Sequence, residues 1–140
     1  MTGSVPSTQV LLLSCYELGH QPFSLASTLG FLEREGINAA AIDLSVEDIS
    51  AHASCIETTR LVAISAPMHT ALRLGTVAAR QVREVNADAH VCFFGHYAGL
   101  NAEYLLRESY ADSTIAGEFE PALLALSLAV ACRANFDNLP

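Results

Sequence analysis

Short runs of apolar residues recur along the chain, and between them apolar residues return every three or four positions. The runs predict five buried strands, at 10–14, 38–43, 61–65, 89–94 and 113–116. The stretches between and after them predict helices. Because the two element types alternate from end to end, the pattern predicts right-handed strand–helix–strand units.

The helices differ in how clearly the sequence defines them. In the first, Leu25, Leu29 and Leu32 form an apolar stripe. A long helix over 70–86 is predicted to bury Leu72, Val77, Ala78 and Val82, with arginines on its other side. The whole pattern predicts an α/β, doubly wound, five-stranded parallel sheet of flavodoxin-like or Rossmann-like type, in strand order 2-1-3-4-5.

Capping signals suggest where two shorter helices begin. Ser45, followed three residues later by Asp48, is typical of a helix N-terminus and predicts a short helix starting at Ser45. Asn101 is predicted to cap a helix that runs through Arg107. Between the fourth strand and that helix, residues 95–99 are predicted to form a loop.

The length of 140 residues suits one domain, which we place at 9–134, with a disordered lead-in at 1–8 and a tail at 135–140. Although 51% of residues are hydrophobic, no apolar run reaches the roughly 20 residues of a membrane span. The first residues lack the pattern of a signal peptide, so we expect a cytoplasmic protein without membrane contact. High apolar content makes a homodimer a reasonable expectation.

Net charge and cysteine spacing argue against two classes of function. The net charge is −8 and all seven basic residues are arginine, so a nucleic-acid partner is not expected. The four cysteines (Cys15, Cys55, Cys92 and Cys132) are widely spaced without a Cys-x-x-Cys pair, which predicts buried, reduced thiols rather than a zinc site.

In the predicted topology, the loops that follow the first, third, fourth and fifth strands meet at the carboxyl edge of the sheet, where ligands bind in folds of this type. These loops bring together polar, aromatic and small residues: His20, Met68, His69, Gly95, His96, Tyr97, Gly117 and Glu118. Each also has an ordinary explanation, since loop histidines are often only solvated and glycines often supply positive φ at strand ends.

Several familiar chemistries do not fit this edge. A receiver domain needs clustered acids after the first strand, Asp after the third and Lys after the fifth, whereas Cys15-Tyr16 and Ser65 stand here and lysine is absent. The loop after the first strand is a poor phosphate cradle for a flavin nucleotide, and neither Gly-rich nucleotide motif occurs. A Cys15–His20 nucleophilic pair has no third partner at a recognisable spacing.

Four segments together resemble a known family. They read QPFSLASTLGFLEREGINAAAIDLS, LVAISAPMHTAL, VCFFGHYAGLNAEYLL and ADSTIAGEFEPALLAL, and together they span about residues 9 to 130. The pattern resembles the cobalamin-binding (B12-binding-like) domain at the amino terminus of many radical S-adenosylmethionine proteins. The residues at the family's motif positions are Pro22, Leu25, Gly36, Gly95 and Gly117-Glu118-Phe119-Glu120.

The resemblance implies cobalamin as the cofactor, with the corrin face and nucleotide tail lined by the loops 16–23, 65–69 and 95–99 and the segment after the fifth strand. The implied contacts are Tyr16, His20, Pro22, Phe23, Ser65, Met68, His69, Gly95, His96, Tyr97, Gly117 and Glu118. The Asp-x-His-x-x-Gly cobalt-ligand motif of the methyltransferase and mutase types is absent around His20. His20, His69 or His96 could reach cobalt instead.

The chain cannot hold the radical family's iron–sulfur cluster, because it lacks Cys-x-x-x-Cys-x-x-Cys. We therefore expect no iron–sulfur cluster and no enzyme activity from this chain alone, and a radical S-adenosylmethionine catalytic domain or subunit as partner. A second interpretation is a degenerate domain of this type that acts as a docking or sensor module. A third is a small metal-dependent enzyme that uses His20, His69 and His96 as metal ligands.

Overall fold

The computed structural model describes residues 8–16 and 23–137, with side chains at 8–16 and 25–132. The strands are β1 (Val10–Ser14), β2 (Ala39–Asp43), β3 (Leu61–Ser65), β4 (His90–Phe94) and β5 (Ser113–Ile115). The helices are α1 (Phe23–Arg34), α2 (Ala53–Thr58), α3 (His69–Val85), α4 (His96–Leu100), α5 (Ala102–Arg107) and α6 (Glu120–Asp137). A 3-10 turn, Ile49–His52, precedes α2.

The five strands form one parallel sheet in the order β2-β1-β3-β4-β5, which confirms the predicted flavodoxin-like topology. The residues of β1 and β3 are all buried, as expected for central strands covered on both faces. Pairing brings the last residues of the strands level, with Ser14 opposite Ser65 and Ser65 opposite Phe94. The carboxyl ends therefore form one edge.

Alternate strand residues build two separate cores, because successive side chains point to opposite faces. On one face, Leu11, Ile64 and Phe93 pack with α2, α3 and α5. On the other, Leu12 and Phe94 pack with α1 and α6. The domain thus has three layers, with the sheet in the middle.

The short helix after β2 starts later than predicted. Ser45 is hydrogen-bonded to Asp43 Oδ1 through both its backbone N (3.0 Å) and its hydroxyl (2.6 Å), which makes a turn at the strand end. Asp48 is the actual cap, since its side chain accepts from Ser50 N at 2.9 Å as the 3-10 turn begins. The prediction of a helix start at Ser45 is wrong because Asp43 engages Ser45 first.

The prediction of a loop at 95–99 is also wrong. Helix α4 begins directly after Gly95, the residue that follows β4, and Gly95 is its N-cap with a φ of 110°. Asn101 does occupy the N-cap position of α5, but its side chain donates to Tyr97 O at 2.8 Å instead of capping the helix. The region after β4 therefore contains two consecutive short helices.

Two burial predictions need correction. Val77 of α3 is 54% exposed and does not join Leu72, Ala78 and Val82 in the core. Of the cysteines, all of them free, two are buried as predicted, one is half-buried and Cys132 is exposed.

Within the described residues, no helix is long and apolar enough to cross a membrane. The predicted lead-in and tail lie largely outside the described residues, so those boundaries stay predictions.

Candidate functional site

The loops after β3, β4 and β5 are tied together by backbone hydrogen bonds at the carboxyl edge. Ala66 N donates to Phe94 O at 2.8 Å, and Tyr97 N donates to Ala66 O at 3.0 Å. Gly95 N donates to Ile115 O at 3.2 Å. These bonds satisfy the backbone groups where the strands end, and they give the side chains of this edge a defined base.

Tyr97 makes ring contacts with two histidines at this edge. Its ring centroid lies 6.5 Å from that of His69, at the start of α3, and 5.7 Å from that of His96, in an edge-on arrangement. Tyr97 is half-buried and both histidines are exposed. Two of the predicted site histidines are therefore brought to the same aromatic residue.

Met68 and Ser65 complete the β3 side of the edge. Met68 is half-buried, and its extended backbone (φ −152°) leads into α3 without a side-chain cap. Ser65 is buried at the last position of β3. The edge at β3 and β4 thus presents rings, a thioether and backbone, and the predicted residues found there carry no carboxylate.

The glycines of this region have different explanations. A Cβ on Gly95 would lie 3.1 Å from Ala66 O, and its φ is positive, so internal packing already requires glycine there. Gly99 packs on Ala116, whose Cβ would be 2.7 Å from an added Cβ. Gly117 has a φ of 74° and nothing within 4 Å of an added Cβ, so the space above the end of β5 is open.

The two acids of the Gly-Glu-x-Glu segment also differ. Glu118 is exposed beside the open space at Gly117. Glu120 accepts a hydrogen bond from Ser27 Oγ of α1 at 2.6 Å, and this bond links α6 to α1. Between them, Phe119 packs on Phe94 with ring centroids 4.8 Å apart. Two of the three residues after Gly117 therefore have structural partners, and Glu118 is the one that can face a ligand.

The end of β1 is described only as far as Tyr16, which is half-buried. Of the predicted contacts in the following loop, His20 and Pro22 lie outside the described residues. Phe23 begins α1, but its side chain lies outside them too. These predictions, including a metal site that needs His20, therefore stay predictions. Elsewhere in the described chain, no three His, Cys, Asp or Glu residues are grouped as metal ligands.

Cys15, the first residue after β1, is not an activated nucleophile. Burial, assisted by the negative charge of Asp43, raises the pKa of the Cys15 thiol to about 12. The thiol is therefore protonated at neutral pH, and the nucleophilic and metal-binding form of cysteine is the thiolate.

Two concave surfaces beside α3 were missed by sequence reasoning. A groove of about 430 Å³ lies between α3 and the segment that follows β2, and a cleft of about 290 Å³ lies between α3 and α5. The cleft places Arg73 and Tyr104 beside His69. One signal for the groove is present in the chain, because Leu74 and Val77 follow the spacing of a second apolar stripe on α3.

Comparisons with known proteins found similar folds among solved structures. No family model matches the chain, and no curated protein matches it either. Among solved structures, the chain is similar to the radical S-adenosylmethionine methyltransferase TsrM from Kitasatospora setae, with a TM-score of 0.73, 18% identity and 89% of this chain covered. The match spans only 26% of the TsrM chain.

Receiver-type structures are also similar. A CheY-like response regulator receiver domain protein from Methanospirillum hungatei has a TM-score of 0.64 and 16% identity. The match covers 92% of this chain and 98% of that one. A structure described as a redox sensor of streptococci, evolved from two-component response regulators, has a TM-score of 0.62 and 16% identity, covering 93% of this chain and 54% of that one. At these identities the likeness establishes the flavodoxin-like fold.

Proposed function

We propose that the carboxyl edge of this domain binds cobalamin, and that the chain positions the corrin for a radical S-adenosylmethionine catalytic domain or subunit. The observation that carries the proposal is the pair of ring contacts that Tyr97 makes with His69 and His96. A large, flat and mostly neutral ligand gains most from such a surface, because aromatic rings offer extensive apolar area with few charges.

The residues described fit a corrin in their chemistry. His69 and His96 are exposed at this edge, and Gly117 leaves free space at β5. Gly95 and Gly99 do not support the proposal, since internal packing explains both. Bound cobalamin would supply the reactive cobalt, and the protein would contribute orientation and shielding. His69 and His96 are the described side chains that could offer an imidazole to the metal.

The similarity to TsrM supports this proposal, because a region of this fold makes up 26% of that radical S-adenosylmethionine methyltransferase chain. The receiver-like neighbours share the fold, but Ser65 holds the place of the receiver aspartate and the chain has no lysine. Phosphoryl transfer of the receiver type is therefore not proposed.

The test is a titration of the purified chain with hydroxocobalamin and methylcobalamin, read in the visible spectrum and by gel filtration. We expect co-elution near one equivalent with a spectral shift. Tyr97→Ala should weaken binding by about tenfold, since one stacking ring is lost. His52→Ala is the control, because His52 pairs with Glu47 and is not one of the proposed contacts. Absence of co-elution, or equal loss in both variants, would contradict the proposal.

The ligand to cobalt is tested separately with His69→Ala and His96→Ala. If one of these imidazoles coordinates cobalt, the variant that lacks it should still bind cobalamin. The bound cobalamin should then show the spectrum of the cofactor without a nitrogen ligand from the protein. The metal-enzyme interpretation is tested on the same variants, together with His20→Ala, by zinc titration. Stoichiometric zinc binding lost in all three variants would favour that interpretation over cobalamin.

A docking or sensor module is the second candidate function. The receiver-like fold and the large exposed apolar side chains beside α3 favour it. Redox sensing through Cys15 is disfavoured, because burial holds the pKa of this thiol at about 12. A chain that binds no cobalamin in any redox state but binds a protein partner would establish this second candidate.

A further inference from the structure

A groove runs between α3 and residues 44–49, the segment that connects β2 to the 3-10 turn. We call it the α3 groove, and its volume is about 430 Å³. None of its lining residues belongs to the proposed corrin site. The lining residues are Cys15, Leu44, Ser45, Val46, Glu47, Asp48, Ile49, Leu74, Val77, Ala78 and Gln81.

The walls of the α3 groove are large aliphatic side chains that remain in contact with water. Val46 is 78% exposed on one wall, and Leu74 and Val77 are 44% and 54% exposed on the other. The buried side chains of Ile49 and Ala78 lie between them. Isolated apolar residues on a surface need no explanation, but several that line one concavity indicate an interaction site.

The length of the groove suits a helix. From Leu74 to Gln81, α3 rises by roughly 10 Å, or two turns. A helix docked in a groove typically uses apolar residues at i, i+3 or i+4, and i+7, which cover the same distance.

The charges around the groove select the partner. Glu47 and Asp48 are the charged residues that line it, and both are carboxylates. The hydrogen bonds from Ser50, first from its backbone N and then from its hydroxyl, lower the pKa of Asp48, so this carboxylate stays ionised. The three arginines of α3 lie elsewhere. Arg73 lines the cleft between α3 and α5, Arg80 bonds Tyr110 and Arg83 bonds Asp112.

We propose that the α3 groove binds an amphipathic helix of a partner protein, with leucine-type residues on its apolar stripe and arginine or lysine beside that stripe. The aliphatic walls would receive the apolar stripe, and the carboxylates of Glu47 and Asp48 would face the basic side chains. The net charge of −8 favours approach of a basic partner over an acidic one.

A second copy of the chain is a poorer occupant. The most apolar helix it could offer is α6, whose exposed positions include Leu128. However, α6 contains one basic residue, Arg133, against two acidic ones, Glu120 and Asp137, so its charge does not match the acidic rim. Repulsion between two chains of charge −8 also opposes this pairing.

The test uses a fluorescently labelled peptide of about 18 residues, long enough to form a helix on binding, with leucines at i, i+3 and i+7 flanked by arginines. A second peptide keeps the leucines and replaces each arginine by glutamate. Anisotropy titrations with the whole chain should show saturable binding of the arginine peptide, weakened by salt, and at least about tenfold weaker binding of the glutamate peptide. Amide shift changes should centre on residues 44–49 and 74–81.

Two leucine variants test whether binding is specific to the groove. Both leucines are partly exposed, so both variants should fold. Leu74→Ala should weaken binding of the arginine peptide by about fivefold to tenfold, as expected for an interface anchor. Leu128→Ala, on the other face of the sheet, should have no effect. Glu47→Gln should weaken binding by less than Leu74→Ala and reduce its salt dependence.

Four outcomes would overturn the proposal: no binding of the arginine peptide, equal binding of both peptides, equal effects of the two leucine variants, or self-association in sedimentation that Leu74→Ala abolishes. The last would identify a second copy as the occupant. The result is independent of corrin binding, since Leu74→Ala is expected to leave cobalamin co-elution unchanged.

Discussion

Helices α1 and α3 pack on opposite faces of the sheet, and each contains an interior glycine. A Cβ on Gly30 of α1 would approach only the end of a flexible side chain, Arg34 Nη1, at 3.8 Å. A Cβ on Gly75 of α3 would lie 2.9 Å from Phe93 Cε2 and 3.1 Å from Ile64 Cγ2. The same residue type therefore has no packing role in one layer and allows close backbone approach in the other.

The polar links of the two layers differ in the same way. Behind α3, the Asn86 amide donates to Ile56 O and Thr59 O, each at 2.9 Å, and so ties the end of α3 to α2. Arg83 further joins α3 to Asp112 before β5. Between α1 and α6, the bond from Ser27 to Glu120 is one link among the described residues. The α3 layer thus combines an apolar core with several polar links, and the α1–α6 layer combines an apolar core with the Ser27 bond.

The largest difference should appear when both glycines are replaced by alanine. Gly30→Ala is expected to stabilise the protein by up to about 1 kcal/mol through helix propensity. Gly75→Ala gains the same propensity, but overpacking against the buried Phe93 costs about 1–3 kcal/mol, so we expect net destabilisation. Urea unfolding of both variants should show changes of opposite sign in the free energy of unfolding.

The cause in Gly75→Ala can be isolated by combining it with Phe93→Leu. If contact with the Phe93 ring is responsible, the double variant should be less destabilised than the sum of the single variants. Strict additivity, or a stabilising effect of Gly75→Ala alone, would contradict this account of the α3 layer.

The next largest effect concerns the polar links. Asn86→Ala removes the side-chain hydrogen bonds to Ile56 O, Glu57 O and Thr59 O and the bond from Asp88 N, so we expect a loss of about 2 kcal/mol in the free energy of unfolding. Ser27→Ala in the other layer should cost less than about 1 kcal/mol, because it removes a single part-buried hydrogen bond and alanine favours the helix. Thermal unfolding of the pair provides the measurement, and equal losses would remove the distinction between the layers.

The smallest effect depends on pH, through one buried thiol in each core. Burial raises the pKa of Cys15 to about 12 and that of Cys92 to about 11, from an ordinary value of 9.0. Above pH 9 the unfolded chain loses these protons while the folded chain keeps them, so stability falls as pH rises. By pH 10 each thiol should contribute a loss of about 1 kcal/mol.

Cys15→Ala and Cys92→Ala test this directly, since each should reduce the fall in urea midpoint between pH 8 and pH 10 relative to the unsubstituted chain. Cys132→Ala is the control, because Cys132 is exposed. If the variants lose stability with pH as steeply as the unsubstituted chain does, the buried thiols are not the source.

Sequence patterns predicted the strands well. The apolar runs at 10–14 and 61–65 coincide with β1 and β3, and the strand order is as predicted. A fully buried parallel strand must be apolar throughout, so its limits are visible without any knowledge of its neighbours. The errors fall where two local rules compete, as at Ser45, which could cap a helix but instead bonds Asp43 at the end of β2.

The candidate site was predicted only in part. The loops were assigned correctly to the carboxyl edge, because parallel strands place successive carboxyl ends together. The contact of Tyr97 with both histidines could not be predicted, since it depends on α4 starting directly after Gly95. Val77 was assigned to the core from its helical position, yet it lines the α3 groove.

The sequence by itself determined the alternation of strands and helices, the absence of receiver and nucleotide-binding motifs, and the acidic charge without lysine, because all of these depend on residue type and near spacing. Only the tertiary structure decided which face of α3 stays exposed, that Gly75 must accommodate Phe93, and that Val46 lies across a groove from Leu74. Those relations join residues far apart in the chain, and they exist only once the sheet register and the helix positions bring them together.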